Sequence, residues 1–438
     1  MKKNKIKIGI AGLGTVGSGV INLLNKNKDA ILKRSGFDIE ISCVSARDIN
    51  KKRDCNIENL TFYSNPLEMI DNEDIDILVE LIGGENIAKQ LVEKALQKNI
   101  HVVTANKALI AIYGNEISNI SQDNKSDIAY EASVAGAVPI IKVIRESLNT
   151  NQIQWVAGII NGTTNYILTE MLKSGKNFNS VLSEAQDLGY AEADPEFDIG
   201  GIDAAHKLTI LSSICFGIPL DFNSIYVEGI TSIELDDLNY ADELGYVVKH
   251  LAIGRNNKSG IELRVHPCLV PKQRLLANVD GVKNAIVISS DAAGPTLYYG
   301  AGAGSLATAS SVTSDIVDIG RKIMSDSIMS VPFLSYYNNK LAKKNILDIN
   351  DIESRYYLRI RVNNKPGVLA DITKIFGTKS ISIESILQKE DVVDDNNVPI
   401  VLVTHEVIEK NITAALSEIE KLEVVKGSII KIRIEELN

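Results

Sequence analysis

Ile6, Ile8 and Ile10 alternate with Lys5, Lys7 and Gly9 near the start of the chain, and a helical spacing of Val20, Leu23 and Leu24 follows. A period of two predicts a strand and a period near 3.6 a helix, with a glycine-rich turn joining them. The alternation recurs, with strands predicted at 38–46, 75–82, 100–104 and 127–131 and helices at 87–98 and 109–120. Strands regularly separated by amphipathic helices pair in parallel, with helices on both faces of the sheet. The expected class is therefore α/β with a doubly wound parallel sheet.

Residues 133–141 (SVAGAVPII) are a small-residue turn entering a helix, a natural place for the chain to leave the first sheet. Strand-like runs at 155–160, 226–230, 246–253, 261–267 and 284–290, beside helices, predict an α+β domain whose sheet could pair subunits. A helix over 305–323 would return the chain to the first domain. The pattern weakens over 326–354, with a basic run at 340–344, and reads as a linker. Strands at 356–362, 381–388, 399–405 and 424–434 and helices at 367–376 and 412–422 then predict a βαββαβ module. The expected domains are 1–137 with 302–325, an inserted 138–301, the linker 326–354, and 355–438.

The first turn reads Gly12-Leu13-Gly14-Thr15-Val16-Gly17. In a strand–turn–helix setting the first glycine permits the tight turn. The second lets backbone approach a pyrophosphate, and the third lets helix pack on strand. The helix N-terminus supplies amides for the phosphates. This is a dinucleotide-binding Rossmann signature, and a purely structural turn is its alternative. Arg47 ends the second strand, where an acidic residue would grip an NAD ribose. A guanidinium there could fork onto a 2′-phosphate instead, which favours NADP or use of both cofactors; a solvated basic turn is the competing reading.

Composition narrows the partners. The 438 residues carry 56 Asp and Glu against 46 Lys and Arg, a net charge of −10 that opposes a phosphate-backbone footprint. No nucleic-acid role is expected. No apolar run reaches the length that spans a bilayer, and four cysteines in so long a chain form neither a disulfide framework nor a metal-ligand spacing. A cytoplasmic protein acting on small molecules is expected.

Asn161-Gly162-Thr163-Thr164-Asn165 clusters amides and hydroxyls at a helix start, where they could orient a polar substrate or simply cap the helix. An acidic loop from Gly189 carries Glu192, Asp194, Glu196 and Asp198 into a helix predicted over 202–216. Asp203 and Lys207 fall within the helix's apolar stripe, not opposite it. A solvated i,i+4 ion pair would not sit there. The placement predicts a lysine facing a cleft, tuned for proton transfer by desolvation and by Asp203, with a buried structural pair as the alternative.

Six ordered motifs carry a wider resemblance: GLGTVG at 12–17, TANKAL at 104–109, EASVAG at 131–136, GIINGTTNYIL at 158–168, GYAEADPEFDIGGIDAAHK at 189–207 and YYGAGAG at 298–304. Together they resemble the homoserine dehydrogenases, specifically the monofunctional form that lacks an aspartate kinase domain. The C-terminal module resembles an ACT domain through 363–370 (NNKPGVLA) and 381–388 (ISIESILQ).

The resemblance implies NAD(P)-linked interconversion of L-homoserine and L-aspartate 4-semialdehyde, on the route to threonine and methionine. It implies Lys207 as the acid/base, Lys107 as an electrostatic partner beside nicotinamide and substrate, and Asp203 as a further catalytic carboxylate. Glu192 would hold the substrate ammonium, with Asp198, Gly189 and Thr163 in the same substrate site. Thr104, Lys107 and Gly302 would join the glycine turn and Arg47 around the cofactor. Glu131, Val134, Gly136 and Val138 would hold a sodium ion. A homodimer or homotetramer and an L-threonine effector at the ACT domain are expected. The sequence departs from the family at Ala137, Ala301, Gln273-Arg274 and Asn364, none of them a named catalytic residue. A dehydrogenase of another small amino-acid aldehyde and a non-catalytic amino-acid sensor are the competing readings.

Overall fold

The computed structural model describes residues 4–325, 331–388 and 397–437. The first six strands are β1 Lys5–Ala11, β2 Asp38–Ser45, β3 Thr61–Tyr63, β4 Ile77–Glu80, β5 His101–Thr104 and β6 Ile128–Ala129. Helices α1 Thr15–Lys26, α2 Lys28–Ser35, α3 Pro66–Asn72, α4 Asn86–Gln97 and α5 Lys107–Asn124 run between them. Next come α6 Ile140–Lys142, β7 Ile153–Ile159, α7 Gly162–Ser174, α8 Phe178–Asp187, α9 Glu196–Ile199, α10 Ile202–Phe216, β8 Tyr226–Val227 and α11 Leu235–Glu243. β9 Tyr246–Asn256, β10 Ile261–Pro271, β11 Lys283–Ser290, β12 Gly294–Ala301 and α12 Ser305–Ser325 follow. The C-terminal part holds β13 Glu353–Asn363, α13 Val368–Thr378, β14 Ile383–Gln388, β15 Asn397–Thr404, β16 Val407–Ile408, α14 Glu409–Ile419 and β17 Ile430–Ile434.

Contacts divide the chain into two units: residues 1–156, 205–225 and 283–344, and residues 157–204, 226–282 and 345–438. The domain limits expected at 137, 301 and 354 do not coincide with these. Residues 326–330 of the expected linker lie outside the described residues. Its remainder is not loose, since Leu334 is fully buried and the Phe333 carbonyl accepts the Tyr130 hydroxyl.

The first unit holds a sheet of order β3-β2-β1-β4-β5-β6, with every pairing parallel. Ile6, Ile8 and Ile10 share one face of β1 and are buried in one cluster with Val20 and Leu24 of α1 and Val312 and Ile316 of α12. Strand order reverses between β1 and β4, and the carboxyl ends of strands at such a point form a ligand crevice. α12 packs on α1, with the Ser305 hydroxyl donating to the Thr15 carbonyl at 2.8 Å. The returning helix thus lies against the start of α1.

In the second unit β9 and β10 form an antiparallel hairpin, and β17 pairs in parallel with β10. β17 continues antiparallel to β13, β13 to β15, and β15 to β14. The β13-α13-β14-β15-α14-β17 sequence is the expected βαββαβ module, but it does not hang from the chain as a separate body. Tyr357, Val401, Val403 and Ile432 share one hydrophobic cluster with Ile167, Met171 and Leu238. Asp237 near the start of α11 is fully buried, and Arg359 of β13 donates to it through Nε at 2.6 Å and NH2 at 3.0 Å. The Tyr357 hydroxyl adds a third bond at 3.1 Å.

The expected strand over 424–434 is shorter, running only from Ile430 to Ile434. The strand expected over 226–230 stops at Val227, where the chain turns so that the Ile230 amide reaches the Ile199 carbonyl.

Candidate active site

The three glycines of the first turn meet three different constraints. Gly12 has φ +101, and a Cβ there would lie 2.3 Å from the Leu81 carbonyl oxygen. A Cβ on Gly17 would lie 2.0 Å from the Gly12 carbonyl oxygen, while one on Gly14 would meet nothing. Only Gly14 faces open space, as a backbone that receives a pyrophosphate requires. Leu13 is buried, and Thr15 and Val16 open α1, whose first amides have no acidic neighbour in that turn. Arg47 is exposed two residues beyond the carboxyl end of β2, the same sheet end as the glycine turn. A groove of about 380 Å³ beside Lys5, Phe37 and Asn56 lies toward the amino ends of the strands, away from this chemistry.

β4 and β5 place the next residues at that carboxyl end. Glu80, the last residue of β4, is fully buried; burial pushes its carboxyl up, against hydrogen bonds that favour the anion. It accepts the Ile82 and Gly83 amides at 2.9 and 3.2 Å and the Thr104 hydroxyl at 2.6 Å. The Thr104 side chain is therefore committed to the protein. Thr104 Oγ1 also accepts the Asn106 amide at 2.9 Å, and Asn106 Oδ1 caps α5 by accepting the Leu109 amide at 3.1 Å. The cap sets the helix start at Lys107, which is half-buried, two residues before the predicted boundary.

The loop expected to hold sodium is built around Glu131. Its carboxylate accepts the Ile141 and Lys142 amides at 2.8 and 2.7 Å, and burial pushes its pKa up to about 7. Ala135 and Gly136 both have positive φ, at +56 and +55, which turns successive carbonyls of 134–138 in different directions. Gly136 touches the returning loop so closely that a Cβ would lie 2.4 Å from the Gly302 carbonyl oxygen. A Cβ on Gly302 would in turn strike the Asn284 side chain at 2.1 Å. Val134 and Val138 are buried beside them. Two of the loop's carbonyls are engaged within the protein, Gly136 by the Ser311 hydroxyl at 2.7 Å and Val138 by the Ile140 amide at 2.8 Å.

The second unit gathers the acidic residues. Asn161 caps α7 by accepting the Thr164 amide at 2.8 Å, and its Nδ2 donates to Asp198 and Asp203, both at 2.8 Å. Thr163 Oγ1 lies 3.3 Å from the other Asp198 oxygen and 2.7 Å from the Tyr190 carbonyl. Asp203 is buried. Glu192 and Gly189 lie exposed on the loop after α8, which reaches the cluster through the Tyr190 carbonyl, and the Glu192 carbonyl accepts Gln186 Nε2.

α10 corrects the expectation of an apolar stripe. The helix is buried on every side, its Thr209, Ser212 and Ser213 included, so it has no solvated face against which a stripe could be defined. Only Ile202 and Lys207 are half-exposed. What distinguishes Lys207 is this opening in an otherwise enclosed helix, one turn beyond Asp203.

The residues unmarked by the sequence reading are Glu80 and the bridging role of Asn161. A carboxylate ending the apolar strand DILVE and followed by Gly83-Gly84 was the available signal for the first. The structure also brings Cys268 to His266 and Glu435, all buried. Burial pushes the thiol up and the imidazole down, and the guanidinium of Arg264 already occupies Glu435, so the group reads as structural, not as a metal centre.

Family models match as this geometry leads one to expect: "Homoserine dehydrogenase, NAD binding domain" over residues 12–131, "Homoserine dehydrogenase" over 139–317 and "ACT domain" over 356–424. The chain belongs to the homoserine dehydrogenase family. It is 52% identical over 433 residues to the homoserine dehydrogenase of Pseudomonas aeruginosa, covering 99% of each chain. The crystal structure of a homoserine dehydrogenase from Thiobacillus denitrificans is 49% identical, with full coverage of both chains and a TM-score of 0.94. A hyperthermophilic archaeal homoserine dehydrogenase in complex with NADPH is 28% identical, covers 73% of this chain and 98% of its own, and has a TM-score of 0.62. As a homoserine dehydrogenase this chain is an NAD(P)-dependent oxidoreductase with a nicotinamide-binding domain and a C-terminal ACT domain. Among the described residues no helix is long and apolar enough to cross a membrane.

Proposed function

We propose that the chain catalyses the reversible reduction of L-aspartate 4-semialdehyde to L-homoserine. The nicotinamide cofactor, when bound, would supply the hydride for the aldehyde carbon, and Lys207 donates a proton to the aldehyde oxygen, so that the products would be the alcohol and the oxidised cofactor. The observation that carries this reading is α10, which opens to solvent at Lys207 one turn beyond a buried Asp203 that Asn161 ties to Asp198. A lysine partly withdrawn from water, one helical turn from a buried carboxylate, can be tuned for proton transfer. Lys107 stabilises the oxygen as charge develops, and the exposed Glu192 carboxylate takes the substrate ammonium, with Asp198, Asp203, Gly189 and Thr163 completing the substrate site.

Gly12, Leu13, Gly14, Thr15, Val16 and Gly17 hold the pyrophosphate, while Thr104, Lys107 and Gly302 form the nicotinamide side. Arg47 selects NADP through its 2′-phosphate. A sodium ion bound by Glu131, Val134, Gly136 and Val138 would order the loop that clasps Gly302.

The ACT domain adjusts the rate by binding L-threonine at the exposed turn 364–367, whose Gly367 has φ +94. Subunits pair as a homodimer or homotetramer. Two strands support this: β12 exposes Leu297 and Tyr299, and β14, which exposes Ile386, pairs among the described residues only with β15.

Cofactor absorbance tests the reaction. Aspartate semialdehyde should consume NADPH, homoserine should generate it, and millimolar threonine should slow the full-length enzyme. Turnover in neither direction with either cofactor would leave a sensor or a dehydrogenase of another aldehyde. A rate indifferent to threonine would remove the effector.

A further inference from the structure

Glu80 joins three stretches of backbone at the carboxyl end of the sheet. One carboxylate oxygen accepts the amides of Ile82 and Gly83, which fixes the turn leaving β4. The other accepts the hydroxyl of Thr104, 24 residues away at the end of β5. Gly83 and Gly84 have φ +73 and +71, and a Cβ at either would meet nothing, so this turn presents open backbone. Leu81 and Ile82 of the same stretch lie against Gly12, so the turn borders the pyrophosphate loop.

The hydrogen-bond directions run one way only. The Thr104 hydroxyl accepts the Asn106 amide at 2.9 Å, which leaves its proton for Glu80. Asn106 then donates from Nδ2 to the Gly84 carbonyl at 2.7 Å and accepts the Leu109 amide at Oδ1. Its backbone N–H and both ends of its side chain are engaged, so the peptide leading into Lys107 has little freedom. Lys107 is the first residue of α5.

We propose that Glu80 is a positioning residue for the dehydrogenase reaction, holding Lys107 and the Gly83–Gly84 turn at the cofactor end of the sheet through Thr104 and Asn106. It rests on the reading that Lys107 acts beside the nicotinamide. A buried carboxylate serves here because it accepts from both sides. Glu80→Gln keeps the shape, but an amide whose oxygen takes the Ile82 and Gly83 amides turns its NH2 toward a hydroxyl that needs an acceptor.

The test is a double-mutant cycle of Glu80→Gln and Lys107→Ala in the full-length enzyme, reading kcat and the binary Kd for NADPH. Glu80→Gln alone should lower kcat about 10- to 100-fold, as a small misplacement of a catalytic group does, with the NADPH Kd changed less than about threefold. In the Lys107→Ala background it should cost less than about a further twofold. A parallel pair, Thr104→Val and Thr104→Ser, separates the hydroxyl from the fold: the serine variant should retain clearly more turnover than the valine variant. Normal kcat in Glu80→Gln, equal turnover in the two Thr104 variants, or losses that multiply with Lys107→Ala would each overturn the proposal. Full turnover in Lys107→Ala alone would instead remove the role given to Lys107.

Discussion

At the scale of single residues, proton transfer rests on Lys207 and cofactor choice on Arg47. Lys207→Ala should lower turnover by roughly 10²- to 10⁴-fold while NADPH binding stays nearly intact, as steady-state rates and a binary titration would register. Near-normal turnover would move the proton to another group, Lys107 first. Arg47→Ala should weaken use of NADP by about tenfold relative to NAD, compared as the two kcat/KM values. Equal losses would count against a 2′-phosphate contact. Residues whose reason is local were legible in the sequence: Gly12 answers to the positive φ of its turn, Gly14 to an open approach and Gly17 to a contact with Gly12, although Gly12 also meets Leu81 from another strand's end. Glu80 was not, because its meaning depends on a hydroxyl 24 residues away that only the pairing of β4 with β5 brings close.

At the scale of elements, periodicity placed five of the six strands of the parallel sheet, missed the three-residue edge strand β3, and misjudged the helix that carries Lys207. A helix enclosed on all sides has no polar face, so projecting its residues yields a stripe that means little. Two small polar caps were also undervalued. Asn106 starts α5 earlier than its apolar spacing implied, and Asn161, readable only as a cap, also joins Asp198 to Asp203. Asn161→Ala should therefore lose more than a cap: about 1–3 kcal/mol in denaturant unfolding, with two carboxylates left facing one another. The KM for homoserine should rise in the same variant. A loss confined to a few tenths of a kcal/mol with unchanged KM would reduce Asn161 to a helix start.

At the scale of the whole molecule, β17 is the least legible element, since its parallel pairing with β10 has no signature in either segment. It makes the ACT module part of the second unit. Ending the chain near Asn350 should strip that unit of β13, β15 and β17 and expose the shared core. Aggregation, or loss of cooperative unfolding, is the expected result, and a soluble, cooperatively folded truncation would contradict the architecture. Charge binds the same region: Arg433 meets Glu409 at 2.8 Å and Glu228 at 2.9 Å, with both Arg433 and Glu409 buried. Burial pushes the Glu409 carboxyl up, but Arg433 and Lys431 outweigh it and hold the group below its ordinary 4.5. Glu435, against Arg264 and Arg255, is depressed in the same way. Depressed carboxyls contribute stability above their ordinary value and lose it as pH falls through the folded one. Thermal unfolding should thus change little on account of these pairs above pH 4.5 and weaken below it. Glu409→Gln should remove part of that acid limb and cost about 3–5 kcal/mol at neutral pH by leaving Arg433 short of charge.

The most direct measurement of the proposed chemistry follows the hydride itself. NADPH carrying deuterium at C4 of the nicotinamide, in each stereochemical form, would be mixed with the full-length enzyme and L-aspartate 4-semialdehyde. The product would then be read by mass spectrometry. One of the two forms should yield L-homoserine bearing a single deuterium at C4, and the other unlabelled homoserine. No deuterated homoserine from either form, nor from the corresponding NADH, would contradict the assignment of this site as a homoserine dehydrogenase centre.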